Sequence, residues 1–437
     1  MIKKHFKDFN FRLFGTLILI SLLPTIYTTT RIFFLGNLTS DWGFNIASQL
    51  AWVNIFYEVV QEALILPLFY LISKGLENKS DLNNRVKTGL ITSFLVFLLM
   101  TIFMITFTEP LLRFMGQKEE ILAATVTYIR LEALAIQISV LFKFISIVLI
   151  LLNRNKKLLI LLGLQMILTI LSDTFLVSNL SFSLNIGVNG IAIGNILVNI
   201  FLVISGIKFL KSEKIYLFNK TKNDFKWQKD WFKIGGLSGL ESFVRNAAFT
   251  LMIIRMINMV QEQGTFWVAN SFIWGWLLLP IMALGELIKR DSAEDHNNVD
   301  KMFPSYMIIT GIVCGLWILT IPFWNLFVGK FMNVENFINV VFIAKISIVF
   351  YIIFAFNNVV DSIFYGLGRT DLMLYQSLIV NTFFYGGLFI AYKQNYFVPS
   401  LNKIAIMFGV GMAIDSIITF IMFIFLRKRN KLILVKE

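Results

Sequence analysis

Charge is scarce in this chain, and so are cysteine, histidine and proline. Of 437 residues only 15% are Asp, Glu, Lys or Arg, against roughly 25% in an ordinary soluble domain. In their place stand 57% hydrophobic residues, 45 of them Phe, in apolar runs that recur along the whole length. That composition is a membrane protein's, and the recurrence excludes reading the first run as a removable signal ahead of a soluble body. With 7 Pro and no low-complexity tract, little of the chain reads as linker.

The single cysteine, Cys314, has no internal disulfide partner and lies in an apolar run, so it reads as a small buried hydrophobe. The two histidines, His5 and His296, fall in polar loops. No histidine is therefore expected in the membrane to shuttle protons or bind a metal, and proton or cation chemistry there falls to carboxylates. There is no phosphate-binding glycine loop with a following lysine, no metal-ligand cluster and no triad, so no catalysis and no cofactor are expected. The net charge of +13 raises nucleic acid as a partner. Basic residues of membrane proteins gather in cytoplasmic loops, however, and that explanation is preferred.

Apolar stretches near the roughly 20 residues that cross hydrocarbon number twelve. They run over 11–36, 44–73, 86–108, 120–151, 156–179, 185–210, 231–259, 264–288, 302–326, 335–366, 371–393 and 401–427. The longer ones leave room for tilt, or for bending at Pro24, Pro67 and Pro280. Placing both termini in the cytoplasm assigns 28 of the 39 Lys and Arg to that side and 5 to the other. So strong a bias predicts a multi-pass protein of the plasma or inner membrane with that orientation.

The polar interval 211–230 divides the spans six and six, giving an N-terminal lobe at 1–210 and a C-terminal lobe at 231–437. Its Phe and Trp residues are read either as lying on the membrane surface or as part of a solvated loop. FRLFG at Phe11 is echoed by WFKIGG at Trp231, NIASQLAWVNIF at Asn45 by WVANSFIWGWLL at Trp267, and ATVTYIRLEAL at Ala124 by NVVFIAKISIV at Asn339. Halves with an even number of spans face the same way, which predicts a pseudo-two-fold axis along the membrane normal.

Several stretches resemble the multidrug and toxic compound extrusion (MATE) family, in the superfamily that also holds polysaccharide and lipid-linked-sugar flippases. SIFYGLGRTDLMLYQS from Ser362 is similar to that family's loop between the tenth and eleventh helices. YIRLEAL at Tyr128, SDTFLV at Ser172, GVNGIAIGNIL at Gly187 and IGGLSGLESF at Ile234 follow the family's order. The resemblance implies an all-α fold of two six-helix bundles. It also implies alternating-access export of small molecules driven by H+ or Na+ influx.

Charged residues inside the spans are functional candidates, because each costs at least about 2.5–3.5 kcal/mol at the bilayer centre. Asp173 matches an acidic position of the family that carries protons or sodium, with permanent pairing to a basic neighbour as the alternative. Asn195 approximates a small polar ligand of the family and shares a helix face with Asn199. Glu58 and Glu62, four apart, suit proton binding if left close together, or pair with Arg31 or Arg130. Glu241 matches a functional acid of some members but stands four residues from Arg245, an ion-pair spacing. Asp415 lies mid-span without a motif, and Asp361 lies nearer the GLGRT loop than the family's acid. Arg130 and Lys345 occupy equivalent places in the two halves, which favours a structural role. Lys143 and Arg255 are placed to snorkel.

The resemblance aligns Arg31 with a first-helix position where many members carry an aspartate. With the charge reversed, Arg31 is expected inside the protein beside Asp173 or another carboxylate. Trp52, Tyr57, Phe272 and Trp276 are the candidates for an aromatic substrate surface, with core packing as the alternative. Export of amphipathic or cationic molecules leads, and a flippase or exporter of an anionic or lipid-linked substrate, using Arg31 and Arg245, is the rival. A membrane scaffold without transport is the third reading. The expected partners are a small-molecule substrate and lipid, and the expected state is a monomer.

Overall fold

The computed structural model describes residues 9–38, 43–65, 67–152, 154–217, 223–294, 298–367 and 369–428, and these contain helices and no strands. All twelve expected spans have helical counterparts. Among the described residues nine are single helical stretches long and apolar enough to cross a membrane, including Phe11–Leu35, Lys79–Phe114, Glu119–Leu151, Asn155–Leu176, Val188–Ser212, Phe337–Gly366 and Leu401–Lys428. The eighth span is a pair, Gln263–Leu277 and Leu279–Ser292, bent by 55° beside Pro280. Pro24 is accommodated inside one continuous helix.

The second span, where Pro67 left room for bending, is broken into Gly43–Ser48, Leu50–Leu64 and Leu68–Ser73. Pro67 has no N–H to donate and its ring crowds the preceding turn, so the helix stops there. The seventh span, Gln228–Ala248 continued through a π-helical stretch to Met259, packs on Leu50–Leu64. Gly235 and Gly239 face Ala63, and a Cβ on Gly239 would stand 2.7 Å from the Ala63 methyl. Two small residues four apart let helix backbones approach, as membrane helices use them. Trp231, fully buried, donates its indole N–H to the Leu64 carbonyl at 2.8 Å, satisfying an oxygen next to the break.

The chain forms two compact units, Thr30–Gly264 and Met1–Thr29 with Thr265–Glu437. Their boundaries differ from the lobes drawn at the linker. The first helix up to Thr29 belongs with the later spans, and the seventh span belongs with the second. Within the second unit, the Thr25 hydroxyl donates to the Gly275 carbonyl at 3.0 Å and the Trp276 indole to the Thr29 hydroxyl at 2.9 Å. The described part of the linker is held to the protein. Trp227 donates to Thr88 at 3.0 Å, and Asn84 exchanges two 2.9 Å bonds with the Asp224 backbone, docking it on the third span.

Glu119–Leu151 is the central helix of its unit, 56% buried over its most apolar window against 22% for Lys79–Phe114. It packs on Lys79–Phe114, Asn155–Leu176 and Val188–Ser212. The last two approach closely because Gly190 and Gly194 present no side chain. A Cβ on Gly190 would stand 2.7 Å from the Leu176 carbonyl oxygen, and one on Gly194 2.7 Å from Ser172 Oγ. In the other unit, Phe337–Gly366 packs on Leu279–Glu294 and Leu401–Lys428. Cys314 is buried there, as its apolar setting predicts.

Candidate functional site

Four helices of the Thr30–Gly264 unit bring polar side chains to one level. Alternating chain direction is what makes this possible: Arg31 is four residues from the end of its helix and Asp173 three from the end of its own. Asn195 is seven residues past the start of Val188–Ser212, and Glu132 thirteen past the start of Glu119–Leu151. Arg31 Nε donates to Asp173 Oδ2 at 2.9 Å and Nη2 to Oδ1 at 3.3 Å, a bidentate pair. The same Nη2 donates to Asn195 Oδ1 at 2.9 Å. On its other side the Asn195 amide nitrogen donates to both oxygens of Glu132, at 2.9 and 3.1 Å. The Tyr128 hydroxyl, one turn away on the Glu132 helix, bonds the same carboxylate.

Asp173 is 1% exposed and Glu132 2% exposed. Arg31 therefore faces the protein interior beside Asp173, the placement expected from its reversed charge. Glu132 was not singled out in the sequence, although YIRLEAL was. Its signal was available: a carboxylate amid a long apolar helix is a functional hypothesis by default. Asn199, one turn beyond Asn195, is buried but takes no part in these bonds.

The other unit holds a second polar cluster. Asn357 donates to Asp361 Oδ2 at 2.8 Å from one turn earlier on Phe337–Gly366. Asp415 and Thr419, on Leu401–Lys428, and Gln376, on Thr370–Ile379, lie against it. Thr419 donates to the Asp415 carbonyl at 3.1 Å. Among the described residues no hydrogen-bond partner meets the buried oxygens Asn357 Oδ1, Asp361 Oδ1 and Gln376 Oε1. Asp415 and Asp361 thus meet across two helices, which the sequence, with no motif at either position, did not indicate.

A family model described as MatE matches residues 73–175, the stretch that contains Tyr128, Glu132 and Asp173. No curated protein sequence matches the chain. Among solved structures, an inward-facing multidrug resistance MATE family transporter of the MOP superfamily agrees at TM-score 0.72 and 18% identity, over 93% of this chain and 95% of that one. The family model thus covers about a quarter of the chain, and the fold of the whole is similar to that of these transporters. An outward-facing MATE family transporter agrees at 0.68 and 18% identity, over 96% and 95%. A MOP superfamily transporter from Pyrococcus furiosus, described as having a binding pocket of reversed polarity, agrees at 0.67 and 18%, also over 96% and 95%.

On this fold the remaining candidates separate. Trp52 and Tyr57 are fully buried and Phe272 nearly so. Trp52 donates to Gln49 at 3.1 Å, Tyr57 lies 3.2 Å from the Thr101 hydroxyl, and Phe272 packs on Trp324 at 5.3 Å. These three fill the interiors of their own units and present almost no surface to a substrate, which corrects their placement in a cavity. Trp276 is half-buried beside Phe327, 5.2 Å between ring centres.

Glu58 is exposed and Glu62 half-buried. They do not pair with Arg31, or with Arg130, whose Nε donates to the Ile105 carbonyl at 3.0 Å. Arg130 thereby bonds the backbone of the third span. Arg255 likewise donates to the Phe114 carbonyl at 2.8 Å, at the end of the third span. Lys345 is exposed. The side chains of Glu241 and Arg245 lie outside the described residues, so their pairing is not described.

Proposed function

We propose that this chain is a secondary active transporter that exports small organic molecules, amphipathic or cationic, by alternating access coupled to influx of H+ or Na+. The observation that carries the proposal is agreement over more than nine-tenths of the chain with MATE family transporters captured both inward- and outward-facing. Buried carboxylates in each compact unit supply groups able to bind and release a cation within the membrane. The 28-to-5 distribution of basic residues supports cytoplasmic termini.

The test is ethidium efflux from a transporter-deficient host, and from proteoliposomes in which pH and Na+ gradients are dissipated one at a time. Export that stops when one gradient collapses identifies the coupling ion; export indifferent to both would end the coupling proposal. A second reading, movement of an anionic or lipid-linked substrate, takes support from the reversed charge at Arg31 and from the Pyrococcus furiosus transporter's description. It is weakened by the engagement of the Arg31 guanidinium with Asp173 and Asn195.

A further inference from the structure

We infer that Glu132 is the proton-binding group of the Thr30–Gly264 unit, and that Arg31 acts as a built-in cation that withholds Asp173 and Asn195 from metal-ion binding. The inference deepens the export proposal and rests on it for the part this proton plays in transport.

The charges decide it. One guanidinium and two carboxylates share the network, and the guanidinium is bidentate on Asp173. That pair is neutral as a whole. Glu132 keeps two neutral donors, the Asn195 amide at 2.9 and 3.1 Å and the Tyr128 hydroxyl. Arg31 acts on Glu132 only from a distance, across Asn195; a carboxylate 2% exposed whose hydrogen bonds all come from neutral donors is the member whose charge is least compensated. Binding one proton on a Glu132 oxygen brings the whole network to zero charge. The new O–H finds an acceptor in the Tyr128 phenol oxygen once the phenol hydrogen turns away. The groups facing Glu132 are Arg31 from the first span, Asp173 from the fifth, Asn195 from the sixth and Tyr128 from its own helix; among the described residues the second and third spans add no charge there.

Sodium has poorer access to the same site. A hard cation needs several oxygen ligands. Asp173 Oδ1 and Oδ2 and Asn195 Oδ1 all accept from Arg31, so the guanidinium already holds the oxygens an ion would need. Arg31 is thus the tethered equivalent of the ion, and the proton is what remains to be exchanged.

The experiment is pH-difference infrared spectroscopy of the purified full-length protein in liposomes, following the carbonyl band of protonated carboxylic acids with and without NaCl. The wild type is expected to show a titrating band that Na+ leaves unchanged. In an Asp361→Asn, Asp415→Asn background, which removes the other unit's buried carboxylates and is used for every spectrum, Glu132→Gln is expected to lose it completely, and Glu132→Asp to restore a band. Arg31→Gln is expected to gain a second, Na+-sensitive band, as Asp173 is released. A wild-type spectrum fully retained in Glu132→Gln, or a wild-type band displaced by Na+, overturns the inference. Ethidium transport in the same liposomes separates the two proposals. No transport by wild type, with the bands as expected, removes the exporter and leaves the proton site. Uphill export on a pH gradient by Glu132→Gln removes Glu132 from coupling.

Discussion

Arg31 shows how a residue in the wrong solvent is made stable. Its cost in the bilayer is met by a bidentate partner and an amide oxygen inside the protein. Removing one partner leaves the other as a buried orphan. Arg31→Ala is expected to lose about 3–5 kcal/mol, because Asp173 then stands buried and unpaired. The double variant with Asp173→Ala is expected to lose less than the two single variants together, since neither charge remains. Thermal unfolding in detergent, run as a double-mutant cycle, checks both statements. Additive losses would mean that the pair is not coupled.

At the scale of elements, glycine spacing decides which helices approach. Gly190 stands against a backbone carbonyl that has no room to give, whereas Gly163, on the neighbouring fifth span, meets nothing within 4 Å. Gly190→Ala is therefore expected to destabilise by about 1–3 kcal/mol through overpacking. Gly163→Ala is expected to stabilise by about 0.5–1 kcal/mol through reduced chain entropy. Melting temperatures of the two variants should move in opposite directions.

Past the end of the sixth span, Glu213 receives Lys157 and, at 2.8 Å, Arg154. The Lys157 ammonium first, and the Arg154 guanidinium with it, hold its carboxylate below the usual carboxylate range. A depressed folded value means stability that is fully present above the ordinary value near 4.5 and lost as the pH falls through the folded value. Glu213→Gln should therefore lower the melting temperature at neutral pH, and the difference from wild type should shrink in acid.

At the scale of the whole molecule, the first helix is divided between units at Thr29 and Thr30. A Cβ at Gly275 would lie 3.4 Å from the Thr25 methyl, close enough for a disulfide. Thr25→Cys with Gly275→Cys in a Cys314→Ala background should cross-link on oxidation, read as a fragment retained after cleavage in the linker. No cross-link would place Thr25 with the N-terminal half instead.

Composition and run length determined the membrane class and the helical segments, because hydrocarbon admits no unpaired backbone and 45 Phe leave few alternatives. The reversal of charge at Arg31 was enough to direct it to a carboxylate. What the tertiary structure alone decided is which residues meet across helices. Glu132 joined Asn195 and Asp361 faced Asp415, and the second span broke where Trp231 waited for its carbonyl. Periodicity is washed out where helices are apolar all round, so the sequence carries little record of which face meets which neighbour. Those pairings were fixed by close approach at single glycines and by the few polar groups that had to find each other.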